Sequence, residues 1–478
     1  MTDQPQYQAR IPVYPRSVKG RFRTLKTAVL LLAYAVYFLL PWLRWERDNA
    51  PDQAVLFDLV GRKFYIFDLV VYAQDIFWLA GILIIFALLL FFVTGLAGRV
   101  WCGYFCFQTL WTDLYMFVER WIQGDRNARM KLAKAPWSGG KILKYGLTWL
   151  AWLLIAVATG VTFVLYWGDA PVLLEQMLTG QAPFAAYATA GFLTLTTYVM
   201  AGLAREQVCT YMCPYARFQG VMFDPNTLII AYDAKRGERE KGRQKPRKGL
   251  MKREERIEQG VGDCIDCSYC FQVCPVGIDI RDGLQYQCIS CALCIDACDT
   301  IMDSIGYPRG LVRYTSENAL EGKPTRLLNA KNIGYGLALL ITIGALVWSV
   351  THRPEVELAV YQVRQPLAVI LSDGRVQNRY RIKVNNKTDE TLTYRLELKG
   401  LEPSAELDAG NFRELTLRPE HSLQVQVKVR RDPRHIRQVR ESFRFVLQPV
   451  NRTDAPVVEH GTQFYTPPAQ VRGGKQDG

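Results

Sequence analysis

Residues 264–298 read CIDCSYCFQVCPVGIDIRDGLQYQCISCALCIDAC. Eight of the chain's twelve cysteines fall in this stretch, as two runs of the same spacing: Cys264, Cys267, Cys270, Cys274 and then Cys288, Cys291, Cys294, Cys298. Each run is C-x-x-C-x-x-C-x-x-x-C, the ligand pattern of a bacterial-type ferredoxin with two 4Fe-4S clusters, in which the fourth cysteine of each run reaches the other cluster. Crossed ligation predicts Cys264, Cys267, Cys270 and Cys298 on one cluster, with Cys288, Cys291, Cys294 and Cys274 on its neighbour. Zinc knuckles or a disulfide framework would also use these side chains. Neither accounts for a doubled four-cysteine run in which Cys264-Ile265-Asp266-Cys267 recurs as Cys288-Ile289-Ser290-Cys291. The first run ends Cys274-Pro275, as the bacterial pattern asks, and the second ends Cys298-Asp299. That departure touches the turn after the ligand and leaves the ligand set intact.

On either side of this stretch the chain changes character. A mean hydropathy of −0.01 and 22% charged residues describe a soluble protein on average, but the charges are segregated. Uncharged stretches run from Thr27 to Leu43, Ile76 to Gly98, Tyr145 to Gly168, Gln176 to Ala204 and Asn332 to Thr351. Each approaches or exceeds the ~20 apolar residues a helix needs to cross a bilayer core, which predicts five transmembrane helices. The first is preceded by Lys19, Arg21, Arg23 and Lys26 like a signal peptide, but it ends in Pro41-Trp42-Leu43-Arg44-Trp45 with no small-residue cleavage site, and reads as a retained anchor. Lysine and arginine set the orientation. The N-terminal tail and the loop after the second helix are basic, whereas Asp169 to Gln181 holds neither residue. The N-terminus and the ferredoxin segment are therefore expected in the cytoplasm of a bacterial inner-membrane protein, and residues after His352 in the periplasm. The net charge of +13 comes partly from this asymmetry and partly from the run Lys235 to Arg256. That run lacks interleaved aromatics and lies beside a membrane, so it reads as a lipid-headgroup contact or solvated linker and not as a nucleic-acid site.

Beyond the fifth helix, 379–384, 391–398 and 423–429 alternate apolar and polar residues, with Asp373-Gly374 and Asn385-Asn386 as turn signals. Short alternating strands in this length predict a small β-sandwich suited to partner contact; it contains no cysteine. Residues 473–478 form a polar tail. The organisation expected is 1–26 as a cytoplasmic tail, 27–205 as a four-helix membrane module, 206–330 as an inserted ferredoxin domain, 332–351 as the fifth helix and 352–478 as a periplasmic sandwich.

Four cysteines remain. Cys102 and Cys106 follow the second helix, and Cys209 and Cys213 follow the fourth, each pair spaced C-x-x-x-C. Ala50-Pro51 and Ala170-Pro171 echo each other in the outer loops, so the first four helices read as a duplicated hairpin bringing two dithiols to one depth. On a continuing helix such pairs would share a face, and soft thiolates select Cu(I), zinc or iron-sulfur. A copper site and a third cluster both fit. The four histidines, His352, His421, His435 and His460, all follow the membrane helices. A bis-histidine membrane haem therefore cannot be built, and only Met116 or Met212 offer weak thioether ligands beside the thiols. Trp42, Trp45, Trp101, Trp111, Trp149, Trp152, Trp167 and Trp348 read as interfacial anchors.

Three strings carry a more specific resemblance: CTYMCPYARFQ at 209–219, CPVGIDIRDGLQY at 274–286 and IGYPRGL at 305–311. With them the chain resembles the CcoG/FixG/RdxA family of cytochrome c oxidase accessory proteins over nearly its whole length. Phe107 departs from the proline usual in that family after the first C-x-x-x-C. The resemblance implies five helices, an inserted ferredoxin and an immunoglobulin-like C-terminal domain. It also implies a role in assembling cbb(3)-type oxidase by reducing Cu(II) to Cu(I), which makes the chain a cupric reductase. The implied partners are a cytosolic or membrane electron donor, a copper-transporting ATPase or other assembly factors, and the oxidase subunits. Two other classes compete: an electron-transfer module of the NapH/NosR kind feeding a periplasmic reductase, and a non-redox copper chaperone or scaffold.

Overall fold

The computed structural model describes residues 12–471 apart from 48–50, 73–74, 389, 402–404, 411, 413, 420, 437 and 453. The polar tail at 473–478 and Ala50 of the first outer loop lie outside the described residues. The chain divides into two compact units, residues 1–46 with 51–346, and residues 347–478 with 47–50.

In the first unit, α1 (Arg21–Leu39) leads into an antiparallel sheet of β1 (Val55–Asp58), β2 (Lys63–Ile66) and β3 (Leu69–Tyr72). α2 (Ile76–Ala97), α3 (Val100–Tyr104), α4 (Phe107–Gln123) and α5 (Arg126–Lys134) follow. Then come α6 (Gly139–Leu165), α7 (Ala170–Thr179) and α8 (Phe184–Thr197), the last prolonged by a π-helical stretch, Tyr198–Ala204. A second π turn, Val208–Met212, precedes α9 (Pro214–Val221).

Among the described residues five helices are long and apolar enough to cross a membrane: Arg21–Trp42, Ile76–Ala97, Gly139–Leu165, Phe184–Ala204 and Ala330–Thr351. The protein is a membrane protein. Two expected stretches differ in their bounds. The third span starts earlier, where the Ser138 side chain caps it by accepting from Lys141 N and Lys141 Nζ reaches back to the carbonyls of Ala133 and Ala135. The fourth stretch is cut in two, since left-handed Gly180 ends α7 and Pro183 starts α8. The two outer loops are also unlike, one a small sheet and the other α7, so the expected hairpin duplication does not extend to them. Gln53 joins these loops, its Nε2 donating to the carbonyls of Val55 and Leu165 and its Oε1 accepting from Ala170 N.

Close packing holds the helices together. At Gly160 of α6 a Cβ would lie 2.4 Å from the Ala190 carbonyl of α8, so only glycine permits this approach. Trp111 and Trp152 are not interfacial anchors. Both are buried in the bundle, Trp111 Nε1 donating to Thr159 Oγ1 and Trp152 Nε1 to the Tyr115 carbonyl, because an indole N–H in an apolar core needs a partner.

The ferredoxin segment is bracketed by the antiparallel pair β4 (Ile229–Tyr232) and β5 (Val312–Thr315). It seats directly on the helix ends. Asp296, on the helix Leu293–Ser304, caps α1 by accepting from Phe22 N at 3.2 Å and Arg23 N at 2.7 Å. The segment before α1 runs along the same surface, with Arg16 N donating to the Gln272 carbonyl and Ser17 bound to Asp125. Part of the basic run is folded in: Arg256 is wholly buried, donating to the carbonyls of Gly262 and Cys264, and Arg236 and Arg253 both engage buried Asp263, while Lys235, Arg239, Lys241, Lys245, Arg247, Lys248 and Lys252 stay exposed.

The second unit is an immunoglobulin-like sandwich. One sheet has the order β10 (Ala405–Asp408), β12 (Ser422–Arg431), β8 (Val376–Asn386), β6 (Val356–Gln362), with β7 (Val369–Ile370) also on β8. The other has the order β11 (Glu414–Leu417), β9 (Leu392–Lys399), β13 (Arg440–Pro449), β14 (Val458–Tyr465). Alternation along β8 and β12 turns Tyr380, Ile382, Val384, Val425, Val427 and Val429 into one core. Tyr380 meets Phe443 and Phe445 of the facing sheet edge-on.

Candidate metal centre

The two ferredoxin runs adopt the same local backbone. Asp266 and Ser268 in the first run, and Ser290 and Ala292 in the second, have φ between 51° and 61°. They stand two and four residues after Cys264 and Cys288. Non-glycine residues rarely accept this conformation, and here it alternates with neighbours of negative φ, the pattern that turns backbone N–H groups inward as an anion-binding nest. In these turns the N–H groups of Tyr269 and Ser290 face Cys267 and Cys288, and further along those of Val276 and Ile278 face Cys274.

The thiols sort into two groups that interleave the runs. Burial pushes Cys298 up strongly, with Cys270, Cys264 and Cys267 as the thiols that add to it. Burial pushes Cys274 up to about 12, and its thiol neighbours are Cys291 and Cys288. A cavity lined by Cys274, Cys288, Cys291 and Cys294 among aliphatic side chains occupies the centre of the second group, with Cys270 at its edge. A buried, thiol-lined space with amides aimed at sulfur fits a multinuclear iron-sulfur cluster. Among the described residues no three Cys, His, Asp or Glu side chains converge tightly enough for a single metal ion. The same holds for the four C-x-x-x-C thiols.

The C-x-x-x-C pairs are built alike, though not on a continuing helix as the spacing suggested. Cys102 lies in α3 and Cys209 in the π turn, while Cys106 and Cys213 have extended backbones (φ −65°, ψ 127° and φ −80°, ψ 112°) as N-caps of α4 and α9. Phe107 takes the first helical position that Pro214 takes in the other copy, so the departure from proline leaves this turn unchanged. Four residues before each first cysteine stands a left-handed residue, Gly98 (φ 59°) and Arg205 (φ 47°). The fold brings all four thiols together: burial pushes Cys209 up to about 12, Cys106, Cys102 and Cys213 add to this, and Arg99 opposes it. Cys102 Sγ also lies 3.0 Å from Oε1 of buried Gln219 on α9, which ties the first copy to the second. Of the two thioethers, Met116 is buried and shares a small cavity with Cys209, whereas Met212 is exposed.

The first pair touches the ferredoxin segment. A Cβ on Gly103 would lie 2.7 Å from the Ile289 carbonyl, 2.9 Å from Cys291 Cα and 3.0 Å from Cys291 N, so α3 rests on the backbone of the second cysteine run. Tyr104 Oη donates to the Cys291 carbonyl at 3.3 Å, and Cys102 packs against the cluster of Ile289, Cys291 and Leu293.

Comparison with known proteins agrees with this architecture. Residues 204–317 match the family model of a 4Fe-4S dicluster domain, residues 79–126 that of a 4Fe-4S binding domain, and residues 346–467 that of the IG-like fold at the C-terminus of FixG. The nitrogen fixation protein FixG of Rhizobium meliloti is 42% identical over 440 residues, 85% of this chain and 82% of that protein. Protein RdxA of Cereibacter sphaeroides is 44% identical over 420 residues, covering 85% and 87% of the two chains. Protein RdxB of the same organism is 45% identical over 409 residues, covering 82% and 83%. The chain belongs to the CcoG/FixG/RdxA family. As a member of the FixG/RdxA family it is a membrane-embedded iron-sulfur redox protein.

Several residues around the centre had no signature in the cysteine spacing. Arg99, Lys26, Glu119 and Arg205 are buried or nearly so beside the C-x-x-x-C pairs. Their only signal in the sequence is charge placed at the ends of apolar helices, where ionisable residues are costly.

Proposed function

We propose that this protein is a membrane electron carrier that reduces Cu(II) to Cu(I) for the copper site of a cbb(3)-type cytochrome c oxidase. The observation that supports this most is the contact of α3 with the second ferredoxin run, at Gly103 and Tyr104, which sets the thiol of Cys102 beside Cys291. In this reading Cys264, Cys267, Cys270 and Cys298 hold one cluster, and Cys288, Cys291, Cys294 and Cys274 hold the other. Such clusters, when bound, supply one-electron chemistry at potentials within about −700 to +450 mV. Cys102, Cys106, Cys209 and Cys213 receive copper as substrate, and soft thiolates favour Cu(I), the state one electron below Cu(II). Met116 adds a thioether beside Cys209, and Gln219 orients Cys102.

The test is the double variant Cys209→Ala/Cys213→Ala in anaerobically purified protein. Copper binding and cupric reduction should fall while iron stays at about eight atoms per chain, the content of two clusters. Undiminished copper binding and reduction would sink the copper site. A second reading has its own support: the 4Fe-4S binding domain model covers 79–126, which includes Cys102 and Cys106. There the four thiols hold a third cluster, and the same variant loses about four irons. Reversible cluster reduction with no Cu(I) formed would favour an electron-transfer module of the NapH/NosR kind, and copper binding without redox change a scaffold.

The same proposal places the N-terminal tail and residues 206–330 in the cytoplasm of the bacterial inner membrane and residues 352–478 in the periplasm, on the lysine and arginine bias and an odd number of spans. Reporter fusions after Arg239 and after Ser372 should give opposite signals; one compartment at both sites would overturn it. Its partners are then an electron donor on the cytoplasmic or membrane side, copper-transporting and oxidase-assembly factors, and oxidase subunits.

A further inference from the structure

Two buried cations, Lys26 beside Cys209 and Arg99 beside Cys102, have hydrogen-bonding capacity unused. Lys26, in the first turns of α1, is wholly buried, and its Nζ has no hydrogen-bond partner. It lines a small cavity with Cys209, Met116 and Gln108 on one side and Pro275 and Ile289 of the ferredoxin segment on the other. Arg99, in the turn between α2 and α3, is 3% exposed. Its guanidinium donates to the Tyr286 carbonyl and stands close enough to Cys102 for its charge to favour the thiolate, while its Nε is unpartnered.

The neighbouring carboxylates are fewer than the cations and, Glu206 apart, are shared with other cations. Asp113, the acid that feels Lys26, takes both of its bonds from Arg23 Nη1 at 2.9 Å. Glu119 is shared between Arg129 and Arg205. Glu206 lines the same cavity as Lys26 and accepts from Gln207. Cations thus outnumber carboxylates around the thiols. Burying an ammonium or guanidinium without a counter-charge is strongly unfavourable, so the fold is balanced only when negative charge occupies the space between them.

We infer that the filled four-cysteine site is a net-anionic metal–thiolate centre, with Lys26 and Arg99 as the positioning cations that neutralise it. All four cysteines then bind as thiolates. Because Cu(I) on four thiolates carries one more negative charge than Cu(II), the two cations hold the reduced metal the more tightly and draw the single electron toward it. This rests on the reading that these cysteines bind a metal.

The test measures Cu(I) affinity by competition with a chromophoric Cu(I) chelator, together with iron per chain, in the anaerobic full-length protein and in Lys26→Met, Arg99→Gln and Arg99→Lys. Lys26→Met keeps the side-chain volume, and Arg99→Lys keeps the charge. Removing one nearby charge should weaken Cu(I) binding about tenfold. Both charge-removing variants should show it, and Arg99→Lys should recover most of the affinity. A cation with a merely structural role would lower the melting temperature and the iron of all clusters together, and leave the affinity of the folded fraction unmoved. If the four thiols hold a cluster instead, Lys26→Met and Arg99→Gln should shed that cluster's iron alone, which equally supports an anionic centre. Unchanged Cu(I) affinity and iron in both variants would overturn the inference. Failure of the underlying reading looks different, as unchanged copper and iron in Cys209→Ala/Cys213→Ala.

Discussion

Replacing Gly103 by alanine should part the two halves of the redox site. Its Cβ would come within 2.7 Å of the Ile289 carbonyl and 2.9 Å of Cys291 Cα, against ordinary carbon contacts of about 3.5 Å. The cysteine loop would have to withdraw by roughly half an ångström or more. It cannot do so freely, because Tyr104 Oη holds the Cys291 carbonyl and Tyr314 Oη the Ser290 carbonyl. Overpacking of this kind costs about 1–3 kcal/mol. Alanine returns up to about 1 kcal/mol of helix propensity in α3. The net loss of up to about 2 kcal/mol corresponds to as much as a 30-fold fall in the docked population. Gly146→Ala is the control, since Gly146 lies in α6 with nothing within 4 Å of the added methyl. The assay combines anaerobic thermal melting, iron content and single-turnover oxidation of pre-reduced protein by Cu(II). Gly103→Ala should keep its iron, melt earlier and transfer electrons more slowly, while Gly146→Ala should match or exceed the parent in stability. If the two variants behave alike in melting and in single turnover, the α3 contact is not the electron exit.

Asp296→Asn should weaken the cap on α1 by about 1 kcal/mol, because a charged acceptor at a helix N-terminus becomes a neutral one; an unmoved melting temperature counts against it. Glu119→Gln takes from Arg129, with 1% of its side chain exposed, and Arg205 the carboxylate they share, and should cost about 3–5 kcal/mol. A loss below about 1 kcal/mol by anaerobic melting would contradict the buried pairing. Iron removal should make the ferredoxin segment pH-sensitive. Burial pushes Cys270 and Cys274 up to about 12 and Cys288 up to about 11 in the folded chain, against about 8.5 in an unfolded one. The metal-free fold is therefore at full strength below pH ~8.5 and weakens as the pH rises through the folded values. Melting of metal-free protein at pH 7 and pH 10 should show the fall, and a flat profile would refute it.

The cysteine spacing by itself determined the iron-sulfur chemistry, since a ligand set is written in residue type and interval. The uncharged stretches determined the five spans, because crossing a bilayer is a matter of length and apolarity. Alternation in 379–384 and 423–429 determined the sandwich strands, whose period is local. Other features needed the tertiary structure. That Cys106 and Cys213 cap new helices, and do not share a face with Cys102 and Cys209, depends on the breaks where Cys106 and Cys213 turn extended. Burial of Trp111 and Trp152 depends on which helices pack together, which amphipathic pattern alone does not name. The contact at Gly103 and the cations Lys26 and Arg99 around the thiols arise from segments separated by up to almost two hundred residues. Spacing along a chain specifies what can bind a metal; only the fold decides which charges and which backbone stand next to it.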